Sequence, residues 1–326
     1  MLRLPPFRYL RPRSVADAAR ALADHPGEAM VLAGGTDLIP NLKRRQFDAS
    51  VLVSVAGLDE LRAFRANGEL VIGGGMRLAD VAGLPEVGAS APGLVQALRQ
   101  IANPQIQRQG TIGGNLCVDT RCNYYNQTHE WRESIGFCMK RAGDVCLVAP
   151  GSSKCWAVSS SDAAPMLIAL GARVVLVGPS GERVLPLAEL YQDDGIEYMT
   201  RRPDEILSEI LVPRVGGMAS TYRKVRRRGS FDFPILGVAA TLALDGDRVR
   251  HARLVLGAVH THPVEVDVAG LLEGERLTDE RIDVAADAAF RAATPLDNAD
   301  LAYHWRKKMV RVEVRRALRV LREGGA

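Results

Sequence analysis

The chain has 326 residues, 47% hydrophobic and 25% charged, with a formal net charge of +4. Those are ordinary globular values that leave little room for long disorder, and the charge is too small to point to nucleic acid. No apolar run approaches the ~20 residues that span a bilayer, and the opening MLRLPPFRYLRPRS carries prolines and arginines where a signal peptide needs an apolar stretch, so a cytoplasmic protein without a membrane partner is expected.

Taken in chain order, Ser14 and Asp17 open an alanine-rich helical pattern, SVADAARALAD, followed by the short apolar run MVLAG and the glycine turn GGTDL leading into a second helix. A strand is expected at VLVSV, 51–55, so residues 1–60 read as a small α/β unit. A third strand, LVIGG from Leu70, runs into Gly73, Gly74 and Gly75 and a helix-like RLADV. Helical PGLVQALRQIA follows, then another glycine turn, GTIGGN at 110–115. Beyond a cysteine-rich stretch, SDAAPMLIALG reads as a helix capped by Ser161 or Asp162, and RVVLVG as a strand, which gives a second α/β unit over 61–215. PRVGG breaks the pattern near 214–217. Residues 216–326 then show longer strand-like runs, PILGVAATLAL and ARLVLGAV, and two amphipathic helices.

GGTD, GGGM and IGGN are one device used three times. Glycine lets successive N–H groups converge, and a helix that starts just after adds its positive end, so such turns suit an anion. G-x-G-x-x-G is absent from these loops and G-x-x-x-x-G-K-[ST] is not present, which argues against a Rossmann site and a P-loop. No nucleophile, base and orienter set appears, so no catalytic residue is assigned.

VLAGGTDLIPNLK, GTIGGN, SDAAPMLIALGA and RKVRRRGSFDFPILGVAA, in that order and over essentially the whole chain, resemble the FAD-binding medium subunits of the molybdenum hydroxylases. The resemblance implies an α+β / α/β fold: an FAD-binding fold of two α/β subdomains plus a C-terminal α+β domain. It implies that Leu32, Ala33, Gly34, Gly35, Thr36 and Asp37, with Thr111, Gly113, Gly114 and Asn115, cradle FAD, that Asp162 bonds a polar part of the cofactor, and that Lys224 lies near the flavin. The turn GGGM has less support from the family and reads as structural. Partners implied are a molybdopterin-containing large subunit and a two-iron two-sulfur small subunit, arranged as a dimer of heterotrimers.

All five cysteines lie between 117 and 155. In a reducing compartment clustered cysteines more often bind metal than pair as disulfides. Cys122, Cys138, Cys146 and Cys155 are separated by 15, 7 and 8 residues (123–137, 139–145, 147–154), which fits neither the C-x-x-C pairs of zinc ribbons nor the compact ferredoxin run. A structural zinc site, with His129 replacing one thiol, and free buried thiols remain alternatives. Within the family, an insertion at about 117–157 resembles the flavin subunit of the 4-hydroxybenzoyl-CoA reductase type. That likeness implies a four-iron four-sulfur cluster, read here on those four cysteines; Cys117 is set outside it because it directly follows the glycine turn in IGGNLC, where a small packing residue serves as well, while CVDTRC offers a competing pair. The likeness also implies an electron-transfer subunit taking electrons from ferredoxin for a reductive dehydroxylation of 4-hydroxybenzoyl-CoA to benzoyl-CoA. The alternative is the flavin subunit of an aldehyde, purine or carbon monoxide hydroxylase that passes electrons outward.

Overall fold

Ser14 accepts a hydrogen bond from the Asp17 N–H at 3.0 Å and so caps helix Val15–Ala23, whose Val15, Ala18, Ala19 and Leu22 are buried. A computed structural model describes residues 2–324, so 325 and 326, the end of the last expected unit, lie outside the described residues. The helix covers a three-stranded parallel sheet of β1 (Arg8–Leu10), β2 (Ala29–Leu32) and β3 (Val51–Ser54), in the order β1-β3-β2. Strand β2 ends directly in the first glycine turn.

The second sheet contains β4 (Phe64–Arg65), β5 (Glu69–Gly73), β6 (Arg173–Gly178), β7 (Gly181–Pro186) and β8 (Ile206–Pro213), in the order β4-β5-β8-β6-β7 and antiparallel throughout. Its central strand, ILSEILVP, was not expected from the sequence. Ser208 and Glu209 interrupt the apolar run, yet the Ser208 hydroxyl is buried and donates to Val175 O at 3.2 Å. GTIGGN was expected as a turn, and Ile112–Leu116 is instead one helical turn capped by Thr111, whose hydroxyl accepts from the Gly114 N–H at 3.1 Å.

The third sheet has the antiparallel order β12-β11-β10-β9, from β9 (Met218–Val225), β10 (Leu236–Asp245), β11 (Arg248–Gly257) and β12 (Val264–Val266). Side chains alternate across a strand, and β10 buries both sets. Leu236, Val238, Ala240 and Leu242 face helices Asp279–Ala292 and Tyr303–Arg322, while Ala239 joins the core of the second unit. That two-sided burial explains why PILGVAATLAL is apolar without alternation. The last helix buries Val310, Val314, Ala317, Leu318 and Leu321 against its own sheet. Among the described residues no helix is long and apolar enough to cross a membrane.

The cysteine-rich segment has little regular structure beyond the short helix His129–Ser134. It is tied down by polar contacts instead. Backbone bonds join Arg121 and Val158 in both directions, at 2.8 and 2.7 Å, and close its base. Arg132 is buried and donates to the carbonyls of Arg44 at 2.6 Å and Arg45 at 3.1 Å, while Gln46 donates to Tyr125 O at 2.8 Å.

Candidate functional site

The first glycine turn and the 109–115 segment face each other across a cleft of about 770 Å³. They approach so closely that a Cβ on Gly34 would fall 2.2 Å from Gln109 O, and Gln109 donates back to Gly34 O at 3.2 Å. Gly35 has φ +71°, the left-handed region where a side chain is strained. Among the described residues, the N–H groups of Gly34, Gly35, Thr36 and Asp37 meet no protein acceptor. These N–H groups sit on a turn that lines the cleft.

The second turn works differently. Its N–H groups are already used: Gly113 donates to Gly74 O at 2.8 Å, Gly114 to the Thr111 hydroxyl, and Asn115 to Thr111 O at 2.9 Å. A Cβ on Gly113 would lie 2.6 Å from Gly74 O, and one on Gly74 would lie 2.3 Å from Leu207 O. The GGGM turn is therefore a brace between β8 and the second turn. Asn115 accepts from the Ala163 N–H at 3.2 Å and the Ser161 hydroxyl at 2.9 Å, and Ser161 accepts from Ala164 at 3.0 Å, so Ser161 rather than Asp162 caps the following helix.

Ala33, Gly34, Gly35, Thr36, Asp37, Thr111, Gly113, Gly114, Asn115 and Asp162 all line the cleft, whereas Leu32 and Lys224 do not. Leu32 packs behind the turn with Leu42 and Leu52. The resemblance implies that Lys224 lies near the flavin; its side chain is fully buried, with Nζ 2.8 Å from Asp162 Oδ2 and 3.0 Å from Gln100 O. Asp162 Oδ1 accepts from the Tyr222 hydroxyl at 2.8 Å, so both its oxygens are engaged inside the protein. Burial pushes the Asp162 carboxyl up and the Lys224 ammonium down, and their mutual attraction opposes both shifts.

Sequence reading missed several cleft residues. Arg121 pairs with Asp37 and lies over the Phe233 ring at 4.4 Å; Phe231, Asp232 and Phe233, from the quoted GSFDFP, complete that wall. Asp119, Tyr125 and Lys140 also line the cleft, and Asp119 Oδ2 is buried without a hydrogen-bond donor among the described residues. Lone charges inside a loop carry no spacing signal, so these residues become recognisable only once the segment is folded.

Cys122, Cys138, Cys146 and Cys155 are all buried and line one small cavity together with Tyr124, Tyr125 and Lys140. Cys117 lies apart, in the cleft wall and against the core of the second unit. His129 does not line the thiol cavity; its ring packs 5.6 Å from that of Phe137. Burial raises the Cys122 thiol to about 12 and the Cys155 thiol to about 11, so only a bound cation would keep these groups as thiolates near neutrality. Among the described residues, the ligand-type atoms that gather in a set within 4.8 Å belong to Asp193, His260 and His262, not to the thiols. Zinc would draw four sulfurs to ~3.8 Å separations, given its ~2.3 Å Zn–S bonds. The histidine set is satisfied internally: Asp193 Oδ1 receives Lys154 Nζ at 2.5 Å and the Thr261 hydroxyl at 2.6 Å.

Two family models match the chain. Residues 5–215 match the FAD binding domain in molybdopterin dehydrogenase, and residues 220–321 match the CO dehydrogenase flavoprotein C-terminal domain. The chain is 33% identical over 281 residues to the aldehyde oxidoreductase FAD-binding subunit PaoB of Escherichia coli (strain K12), covering 81% of this chain and 84% of that one. It is 29% identical over 320 residues to the carbon monoxide dehydrogenase medium chain of Hydrogenophaga pseudoflava, covering 96% of each. The solved carbon monoxide dehydrogenase from Hydrogenophaga pseudoflava that lacks the Mo-pyranopterin moiety superposes with a TM-score of 0.81 at 26% identity, covering 97% of both chains.

Proposed function

We propose a function on the premise that this chain belongs to the FAD-binding medium-subunit family of the molybdenum hydroxylases, and is an oxidoreductase subunit that binds FAD. It carries electrons between FAD and an iron-sulfur centre of its own, and serves a molybdopterin-containing large subunit and a two-iron two-sulfur small subunit. The cleft suits FAD on three counts. It is large enough, it offers unpaired N–H groups at Gly34–Asp37 for a diphosphate, and it holds a buried, undonated carboxylate oxygen of Asp119 for a polar edge. When bound, FAD supplies one- and two-electron chemistry. This chain's residues then orient it: the glycine contacts keep the two turns at a fixed separation, Arg121 and Asp37 close one wall, and the Asp162–Lys224 pair stiffens the floor.

The relatives act on carbon monoxide or aldehydes by their names, which supports the general reading of a hydroxylase whose flavin subunit passes electrons outward. One observation favours a narrower reading. Four buried thiols on one cavity, wider apart than one zinc ion draws its ligands, support a four-iron four-sulfur cluster on Cys122, Cys138, Cys146 and Cys155. A flavin subunit with its own cluster fits electron entry from a ferredoxin, and with it the reductive dehydroxylation of 4-hydroxybenzoyl-CoA.

The test is anaerobic purification with iron, labile sulfide and FAD assays. About four irons and four sulfides per chain, beyond those of partner subunits, are expected. Serine at any of the four cysteines should lower that content, and serine at Cys117 should not. Zinc without labile sulfide would return the chain to the ordinary hydroxylase reading.

A further inference from the structure

The cleft and the thiol cavity share two wall residues, Tyr125 and Lys140. Lys140 stands two positions after Cys138. Its side chain is 6% exposed, and its ammonium lies 2.7 Å from Asp119 Oδ1, 2.6 Å from the Thr120 hydroxyl and 2.6 Å from Gly195 O. The three protons of the ammonium are thus all used. The rings of Tyr125 and Tyr198 lie 4.9 and 5.4 Å from it and add aromatic faces to its surroundings. Asp119 lines the cleft but not the thiol cavity. Of the ion pair, Lys140 therefore belongs to the wall of both cavities and Asp119 to the wall of the cleft alone.

We propose that Lys140 sets how readily the thiolate-bound centre is reduced, and that Lys140 and Tyr125 form the partition across which that centre exchanges electrons with the flavin. The inference rests on the cluster reading above. A cluster that takes one electron gains one negative charge, and a cation held beside it in a dry, low-dielectric setting favours the reduced form. The reducing equivalents come from a one-electron iron-sulfur donor protein. Each transfer oxidises the cluster by one electron and reduces the flavin by one, and two transfers with two protons from solvent complete the flavin's reduction. Asp119 anchors the ammonium, and as the pair's negative end it faces the flavin side.

A redox titration of the anaerobically purified holoenzyme tests this, with the four-iron EPR signal followed separately from those of two-iron centres and flavin absorbance recorded in parallel. Lys140→Met should keep iron and FAD and weaken the cluster's reduction equilibrium at least tenfold, which is about 59 mV for a one-electron couple. Lys140→Arg, which keeps the charge, should stay within about threefold of the parent, or about 28 mV. Methionine leaves Asp119 without its partner. Should that variant fail to load its cofactors, Lys140→Met combined with Asp119→Asn removes both charges, and its cluster potential is read whatever its FAD content, since Asp119 lines the FAD cleft; the same direction of shift is expected because of the pair only Lys140 lines the thiol cavity. Full iron with unmoved cluster potentials in the charge-free variant overturns this inference and leaves the cluster reading standing. A parent protein without iron and labile sulfide overturns both.

Discussion

Replacing Gly34 by alanine adds one methyl group where the two turns of the cleft meet. Gly34 lacks a positive φ, so backbone conformation is not the obstacle. The new Cβ would lie 2.2 Å from Gln109 O and 2.9 Å from both Gln109 C and Gly110 Cα, all backbone atoms with no rotamer to change. One turn must then retreat by about 1 Å to reach ordinary contact distance, and overpacking of this kind costs ~1–3 kcal/mol. For a unit of this size that is a fall in Tm of roughly 2–10 °C. The same retreat carries the N–H groups of Gly34–Asp37 away from a bound diphosphate. Losing one charge-assisted hydrogen bond of ~1.5–3 kcal/mol weakens FAD binding roughly 10- to 100-fold. The assay is FAD per chain after gel filtration, FAD affinity of the stripped protein by flavin fluorescence, and Tm by calorimetry. Gly88→Ala is the control: Gly88 lies on the short helix Pro85–Ser90 with nothing within 4 Å of its would-be Cβ, so FAD should be unaffected and stability should rise by up to ~1 kcal/mol. A Gly34→Ala protein with full flavin, parental affinity and parental Tm would refute the cradle.

Three further outcomes are expected. Lys224→Met leaves the Asp162 carboxylate buried with only Tyr222 as partner, which should cost ~3–5 kcal/mol in urea unfolding, and adding Asp162→Asn should recover part of it. His260 is lowered from its ordinary 6.5 to about 4, chiefly by burial and then by His262, so the folded state resists its protonation. Its contribution is complete above pH 6.5 and is lost as pH falls toward 4, by at most ~1.4 kcal/mol per pH unit; His260→Gln should flatten stability across that window, and an unchanged slope would contradict the assignment. Cys117→Ser should hold parental iron and lower Tm only slightly, because its sulfur packs against apolar residues outside the thiol cavity.

The first helix, the strands at 51–55 and 173–178 and the helix after Ser161 were legible because each carries a local signal: a cap, a period, or an apolar run bounded by glycine. Strand β8 was not, since its Ser208 is buried only because Val175 on a neighbouring strand supplies an acceptor. The burial of Lys224 was illegible for a similar reason. A lysine in RKVRRR reads as solvated, and only its partner Asp162, 62 residues away in the chain, makes burial tolerable.

Sequence by itself determined the family, the order of the units and the places where glycine is required, because turns, caps and apolar periods are written in adjacent residues. It also gathered five cysteines in one segment, although spacing alone left zinc and the part of Cys117 open. Tertiary structure decided what the glycines do. Among the described residues the N–H groups of the first turn meet no protein acceptor, whereas in the second Gly113 braces against Gly74 and Gly114 and Asn115 bond to Thr111. It also decided that Lys140, an unremarkable charge in a loop, lines both the cleft and the thiol cavity, and that Asp119 and Arg121 line the cleft. Hydrogen bonds and Coulomb interactions between groups distant in the chain depend on angstrom-scale placement, and no local pattern of residues encodes that placement.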